Sequence, residues 1–337
     1  MNTLPPFVVV FGSTASGKSS LAWRLHQRLR EGANSPTAGG IEVISADSMQ
    51  VYRGMDIGTA KPSPAQRSQV PHHLIDIRNP DEPFTVGDFV EHAEEAISAA
   101  SRRGALPLVV GGTAFYLRCL LCGMPETPRS DSTVRKNIEQ ELAIHGSARL
   151  RRELEQVDPE SAERISHADE YRLVRAIEVY RLTGRPRSSF AVPVTLREKA
   201  RDAVSIGLSW PRRLLYERIN ARVEQMARAG LREEVTALLR QGYVPGDPGL
   251  RAIGYREYIE SAGETIDLKI SAPASGGEPL LPSDEEVVPR IQRNTRRYAK
   301  RQLTFFRAFE QTKWFDAENF EETVESILAT VRRKFGG

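Results

Sequence analysis

Eight residues near the N-terminus have the types and spacing of a phosphate-binding loop, G-x-x-x-x-G-K-[ST]. They are Gly12, Ser13, Thr14, Ala15, Ser16, Gly17, Lys18 and Ser19. The two glycines let the backbone approach an anion closely, because no Cβ intervenes. Backbone N–H groups and a helix N-terminus would then bind phosphate, and Lys18 would add a positive charge. We predict a phosphorylated ligand here, with the Ser19 hydroxyl as a ligand to Mg²⁺.

The elements on either side of this loop fit the motif. Residues 7–11 form an unbroken apolar run, which is typical of a strand buried on both faces of a parallel sheet. Residues 20–30 contain no Gly or Pro, and Leu21, Leu25 and Leu29 fall on one helical face. A chance match is therefore the weaker interpretation, although the motif does not say whether a phosphoryl group is transferred.

Two further strand-like runs deliver polar or glycine residues at their C-terminal ends. Asp47 and Ser48 follow the run at 41–45, and Gly111, Gly112 and Thr113 follow the run at 106–110. Ligands of open α/β sheets bind beyond the C-terminal ends of the strands, so Asp47 is expected to face the phosphate loop. The alternatives are a turn or N-cap aspartate and a tight strand-to-helix turn.

Strand-like and helical segments alternate through the first part of the chain, beginning with the phosphate loop and including a short strand-like run at 73–77. This order predicts an α/β fold, with a P-loop NTPase-like doubly wound parallel sheet. Loops are expected at 32–40 and 270–286. Residues 126–199 contain helical segments and no strand-like run, so we predict an all-helical domain inserted there. The core domain would comprise 1–125 and 200–337, because a strand-like run at 204–208 returns to the sheet.

A basic segment at 287–309 contains seven Arg and Lys residues and no acid. Arg290, Arg293, Arg297 and Arg301 share one helical face, which suggests contact with a phosphate backbone. The alternative is a solvated helix neutralised by acids elsewhere, and the net charge of +3 is too small to decide between them.

Other features exclude several classes of protein. No apolar run has the length of a membrane span, and no basic segment precedes the first apolar stretch, so we expect a cytoplasmic protein without membrane association. Cys119 and Cys122 lack further ligands for a structural zinc site, and we interpret them as buried small residues.

Together the motifs resemble the tRNA dimethylallyltransferase family (tRNA isopentenyltransferases) over nearly the whole chain. The resemblance rests on GSTASGKS at 12–19, DSMQVY at 47–52, GMDIGTAKP at 54–62, PHHLID at 71–76, GGT at 111–113 with Tyr116, RLVRAIEV at 172–179, IGYR at 253–256 and TRRYAKRQ at 295–302. The family often has Pro in place of Ser13 and Thr in place of Ser19, and both changes keep the chemistry. The zinc finger of eukaryotic relatives is absent, which implies a bacterial type.

This resemblance implies transfer of a dimethylallyl group from dimethylallyl diphosphate to N6 of adenosine 37 in tRNA. Residues 14–19 would hold the diphosphate with Mg²⁺ as cofactor. Asp47, Arg222 and Ser19 would be catalytic, with Asp47 at the adenine N6 and Arg222 as a second cation at the diphosphate. The implied partners are dimethylallyl diphosphate and the tRNA anticodon stem-loop, and we expect a monomer.

The family's tRNA contacts fall on three parts of the sequence. They are Asp47, Ser48, Met49, Gln50 and Thr113; Arg135, Tyr171, Arg172, Leu173, Val174 and Arg175; and Arg251, Ala252, Ile253, Gly254, Tyr255 and Arg256. In the last group the arginines could pair with phosphate and Tyr255 could stack on a base. Two rival functions remain open: a small-molecule kinase that uses ATP, and a non-catalytic RNA-binding ATPase.

Overall fold

The structure is a computed structural model of the chain, and it describes residues 3–30, 39–190, 193, 195–263, 281–309 and 312–335. A surface loop expected at 32–40 lies almost wholly outside the described residues. Most of a loop expected at 270–286 also lies outside the described residues. Its last three residues, 284–286, form the first turn of a helix instead.

Within the described residues, six parallel strands form one sheet in the order β3-β2-β4-β1-β5-β6. They are β1 (Phe7–Gly12), β2 (Ile41–Ala46), β3 (His72–His73), β4 (Leu106–Gly111), β5 (Ala203–Ser209) and β6 (Lys313–Asp316). Every residue of β1, β2 and β4 is buried, as expected for parallel strands covered on both faces. The predicted fold class, an α/β protein with a parallel sheet, is confirmed.

The register of the central strands aligns their C-terminal ends. Gly111 of β4 pairs with Phe11 of β1 on one side and with Ala46 of β2 on the other. The turns that follow these three strands therefore begin side by side at one edge of the sheet. This edge holds the phosphate loop, Asp47 and the glycine pair.

Two strands differ from the sequence-based expectation. A strand expected at 73–77 is only the two-residue β3, because Leu74 (φ 62°) and Asp76 (φ 56°) adopt left-handed conformations that end an extended chain. The edge strand β6 was not predicted. It is four residues long with only one side chain half-buried, so its sequence has no buried apolar run.

Helices cover the sheet of the first compact unit, which comprises 1–121 and 196–337. They are α1 (Lys18–Arg30), α2 (Pro64–Gln69), α3 (Val86–Arg102), α4 (Ala114–Cys122), α9 (Arg212–Arg228), α10 (Leu231–Arg240), α11 (Tyr255–Ala262), α12 (Asp284–Phe306) and α13 (Phe320–Phe335). Leu21 and Leu25 of α1 pack in one core with Val8 and Val10 of β1. None of the helices described is long and apolar enough to cross a membrane.

The second compact unit, 122–195, is built from helices alone within its described residues. These are α5 (Ser132–His145), α6 (Ser147–Val157), α7 (Pro159–Arg164) and α8 (Glu170–Thr183). Ile138, Leu150, Leu154 and Ile177 form its apolar core. Asp131 caps α5 by accepting hydrogen bonds from the N–H groups at the start of the helix, so the sequence itself sets where that helix begins.

Candidate active site

The phosphate loop connects β1 to α1 and is shaped by close backbone contacts. A Cβ on Gly12 would lie 2.8 Å from the Ser16 Oγ and 2.9 Å from the Leu208 carbonyl oxygen, so only glycine fits there. The Lys18 Nζ donates hydrogen bonds to the carbonyl oxygens of Gly12 (3.1 Å) and Ser13 (2.7 Å). The lysine therefore lies across its own loop.

Side chains from α9 and from the turn that joins β5 to it support the loop from outside. The Trp210 indole N–H donates to the Ser16 carbonyl oxygen (3.0 Å), and the Arg218 Nε donates to the Ala15 carbonyl oxygen (2.9 Å). The Arg218 guanidinium also stacks 4.3 Å above the Trp210 ring. With its carbonyl groups bound in this way, the loop is preorganised for an anion.

A cavity of about 420 Å³ adjoins the loop and has the size expected for a small ligand. Its lining comes from the phosphate loop, the ends of β2 and β4, helix α9 and helix α12. Among the lining residues are Lys18, Ser19, Asp47 and Arg222, which the sequence had placed in one site. The tertiary structure therefore brings together the three residues predicted to be catalytic.

The charged side chains that line this cavity are largely shielded from water. Burial, with a contribution from the nearby Arg222, lowers the pKa of Lys18 to about 7, and Asp47 opposes this change. Burial likewise lowers the pKa of Arg222 against the attraction of Asp47. Two cations thus face one carboxylate, and an anion bound between the cations would favour their charged forms.

Asp47 is oriented by the turn in which it lies. Its Oδ1 accepts a hydrogen bond from the Met49 N–H (2.9 Å), while the Ser48 N–H donates to the Thr113 Oγ1 (3.0 Å). Gly111 lies so close to the Ala46 carbonyl group that any Cβ there would overlap it. Asp47 is therefore a turn aspartate, as the alternative interpretation held, and it also lines the cavity.

Two residues of α12 line the cavity without having been predicted there, Tyr298 and Gln302. The Gln302 side chain is buried and hydrogen-bonds the phosphate loop and the Gly112 carbonyl oxygen. Burial and the charge of Asp47 raise the pKa of the Tyr298 hydroxyl. The sequence contains a signal for this pair: Tyr298 and Gln302 lie four residues apart, so they share one helical face, on which the apolar Phe305 also lies.

The residues of the cavity fit a Mg²⁺ ion bound mainly through a phosphorylated ligand. The described residues contain no group of three or more His, Cys, Asp or Glu side chains that could hold a metal by themselves. The cavity does offer the Ser19 hydroxyl and the Asp47 carboxylate, both hard oxygen donors. Mg²⁺ prefers such donors and usually takes its other ligands from phosphate and water.

The segment 251–256, predicted to contact tRNA, presents its arginines but not its aromatic ring. Arg251 is exposed, and Arg256 is partly exposed beside Glu260. Tyr255 is fully buried, and its hydroxyl donates to Glu234 (2.5 Å), so its ring cannot stack on a base as we had expected. Ala252 is buried as well. The reason is that α11 packs its aromatic face into the core.

In the helical unit the predicted tRNA-contacting residues divide in the same way. Tyr171 is 64% exposed, with the Arg135 guanidinium 5.0 Å above its ring, and Arg172 is exposed beside Asp169. Leu173 and Val174 belong to the apolar core, so their side chains cannot contact RNA. Arg175 is mostly buried and donates to Glu178 (2.8 Å), so its first role is to neutralise that buried carboxylate.

The outer face of α12 is a basic surface, as its sequence indicated. Arg293, Arg297, Lys300, Arg301 and Arg307 are exposed and form no ion pair within the described part of the chain. Arg290 lies 3.9 Å from Glu260 and is the exception on this helix among the described contacts. Among the described residues, neutralisation by acids elsewhere therefore does not apply to most of this surface.

Comparisons with known proteins agree with one another. A family model described as IPP transferase matches residues 50–309. The chain is 41% identical to a tRNA dimethylallyltransferase of Geobacter sulfurreducens over 98% of this chain and 96% of that protein. A tRNA dimethylallyltransferase of Moorella thermoacetica is also 41% identical, over 98% of this chain and 95% of that protein.

Solved structures show the same relationship. The full-length tRNA isopentenylpyrophosphate transferase from Bacillus halodurans is similar with a TM-score of 0.65 and 35% identity, over 98% of this chain and 97% of that one. A eukaryotic dimethylallyltransferase acting on tRNA gives a TM-score of 0.71 at 25% identity, over 96% of this chain and 77% of that one. The resemblance stated from the sequence is confirmed, and the chain belongs to the tRNA dimethylallyltransferase family.

Proposed function

We propose that this chain transfers the dimethylallyl group of dimethylallyl diphosphate to N6 of adenosine 37 in the tRNA anticodon stem-loop. The products are N6-(dimethylallyl)adenosine and pyrophosphate. One observation carries the proposal: a single cavity is lined by an anion-binding loop, by the partly buried cations Lys18 and Arg222 and by a carboxylate. Family membership supports this function over an ATP-dependent kinase built on the same loop.

The loop and the two cations serve the leaving group. As the bond between C1 of the dimethylallyl group and the diphosphate oxygen breaks, both electrons leave with the diphosphate and its negative charge grows. Lys18, Arg222 and the N–H groups of residues 17–19 would stabilise that charge from fixed positions, whereas the Thr14 N–H is already bonded to Gln302. A bound Mg²⁺, held by Ser19 and phosphate oxygens, would neutralise further charge on the diphosphate.

Asp47 serves the nucleophile. An exocyclic amine is a poor nucleophile, because its lone pair is delocalised into the adenine ring. A carboxylate that accepts a hydrogen bond from N6 orients the amine toward C1 and takes its proton as the N6–C1 bond forms. The proton then passes from Asp47 to solvent, which returns Asp47 to its carboxylate form.

The RNA must present an unstacked base to the cavity. The basic face of α12 and the exposed Arg251 are the surfaces we propose for the phosphate backbone, and Tyr171 and Arg172 are proposed contacts from the helical unit. We propose a monomer as the working form. A tRNA substrate would place the reaction in the cytoplasm.

The test is direct. The protein is incubated with unmodified tRNA, dimethylallyl diphosphate and Mg²⁺ in the absence of ATP. The nucleosides of the recovered tRNA are then separated and identified by mass spectrometry. Dimethylallyl adenosine at one position of the anticodon loop is the expected product. If the wild-type protein forms none, while binding both substrates, the proposed function is wrong.

A further inference from the structure

We propose that Gln302 is a positioning residue that holds the diphosphate-binding and adenine-binding halves of the active site at a fixed separation. This role rests on the proposed function, because it concerns the alignment of the two substrates. Gln302 lies near the end of α12 and is 4% exposed. It is not expected to touch the reacting atoms.

The amide of Gln302 joins two loops that are far apart in sequence. Its Oε1 accepts a hydrogen bond from the Thr14 N–H of the phosphate loop (2.9 Å). Its Nε2 donates to the carbonyl oxygen of Gly112, in the turn after β4 (2.8 Å). Since the first partner is a backbone donor and the second a backbone acceptor, the orientation of the amide is unambiguous.

The second of these loops also positions Asp47. Thr113 accepts a hydrogen bond from the N–H of Ser48, the residue after Asp47 (3.0 Å). The Tyr298 hydroxyl lies near both Gln302 and Thr113. A continuous set of contacts thus runs from the phosphate loop through Gln302 to the turn that carries the carboxylate.

Helix α12 is well anchored for this task. Ala299 is fully buried in one apolar cluster with Ala15 of the phosphate loop, and the ring of Phe306 stacks on Phe11 of β1 with 4.7 Å between centroids. Gln302 lies between these two contacts along the helix. Its backbone is therefore fixed with respect to the sheet, and the amide transmits that position to both loops.

The chemistry makes such a connection useful. In the proposed reaction N6 must approach C1 in line with the breaking bond, with the two atoms about 3–3.5 Å apart before reaction. The phosphate loop places C1 and the Asp47 turn places N6, so a small relative shift of the loops reduces the rate. A shift of about 1 Å can cost about a hundredfold in rate.

The experiment compares Gln302→Met, Gln302→Glu and wild type. Methionine keeps the length of the side chain but removes both hydrogen bonds. Glutamate keeps an acceptor for the Thr14 N–H but directs a carboxylate oxygen at the Gly112 carbonyl oxygen. Gln292→Met is the matched control, because Gln292 is in the same helix, bonds Asn220 and Glu224, and does not line the cavity.

For each protein, single-turnover rates, affinity for pyrophosphate by calorimetry, affinity for tRNA by filter binding, and the unfolding temperature are measured. We expect both Gln302 variants to react about a hundredfold more slowly, with each binding constant within about threefold of wild type. Gln292→Met should behave as wild type. The wild-type rate tests the proposed function, so a failure of that function is distinguished from a failure of the role proposed for Gln302.

Two results would overturn the proposal. In the first, either Gln302 variant reacts at nearly the wild-type rate. In the second, the rate falls together with substrate affinity and the unfolding temperature, which would assign Gln302 a purely structural role.

Discussion

Replacing Asp47 by Asn tests the role of the carboxylate with little change in shape. The asparagine oxygen can still accept the hydrogen bond from the Met49 N–H, which is 2.9 Å from the Asp47 Oδ1, so the turn should persist. What is lost is the charge and the ability to take a proton. General base catalysis contributes about 10²–10⁴ in rate, which corresponds to about 2.7–5.4 kcal/mol of transition-state stabilisation.

The same change should act differently on diphosphate binding. Asp47 attracts the cationic forms of Lys18 and Arg222, and its own negative charge opposes an incoming anion. Removing this charge removes the repulsion of an incoming diphosphate, and the diphosphate itself favours the charged forms of Lys18 and Arg222. We therefore expect Asp47→Asn to bind pyrophosphate as tightly as wild type or more tightly, although its turnover is orders of magnitude lower.

The assay combines single-turnover product formation, followed by mass spectrometry of the nucleosides, with pyrophosphate calorimetry and tRNA filter binding. Asp202→Asn is the matched control, because Asp202 pairs with Arg201 and Lys334 and does not line the cavity. Turnover of Asp47→Asn within about threefold of wild type would refute a role in proton transfer. Weaker pyrophosphate binding would refute the electrostatic account.

Three further predictions follow from other contacts. Gly111→Ala should destabilise the protein by about 1–3 kcal/mol or more in urea unfolding, because the new Cβ overlaps the Ala46 carbonyl group. Arg297→Ala, on the basic face of α12, should weaken tRNA binding and reduce the slope of log affinity against log salt by about 1. Arg103, together with His73, lowers the pKa of Glu42 in the folded protein. The ionised carboxylate therefore stabilises the fold at pH values above its usual pKa of about 4.3. This stabilisation is lost as the pH falls through the lowered pKa. The difference in unfolding free energy between wild type and Glu42→Gln should therefore narrow on acidification from about pH 6 to about pH 3.

Each of these has an outcome that contradicts it. Wild-type stability of Gly111→Ala would mean that the β2–β4 edge has room to relax. An unchanged salt slope in Arg297→Ala would remove that residue from the RNA surface, and Arg213→Ala, at an exposed arginine paired with Glu217, is its control. A stability difference between wild type and Glu42→Gln that does not change with pH would show that the ion pair contributes nothing.

The phosphate loop and the sheet could be predicted from sequence because their signals are local. A phosphate cradle needs glycine, lysine and serine within eight consecutive residues, and a buried parallel strand needs a short unbroken apolar run. Asp47 could be placed by one further step, since parallel strands end at the same edge. The inferences about the loop and the strands depend only on neighbouring residues, whereas the position of Asp47 also depends on the parallel pairing of the strands.

Exposure and long-range contact were decided by the tertiary structure. Gln302 meets Thr14 across 288 positions of sequence, and nothing near either residue encodes that meeting. Tyr255 has the residue type of a base-stacking aromatic, yet Glu234 from another helix binds its hydroxyl inside the core. Whether a side chain faces solvent, a ligand or the core depends on the elements that pack against it, and the packing of α12 on the sheet settles this for the active site.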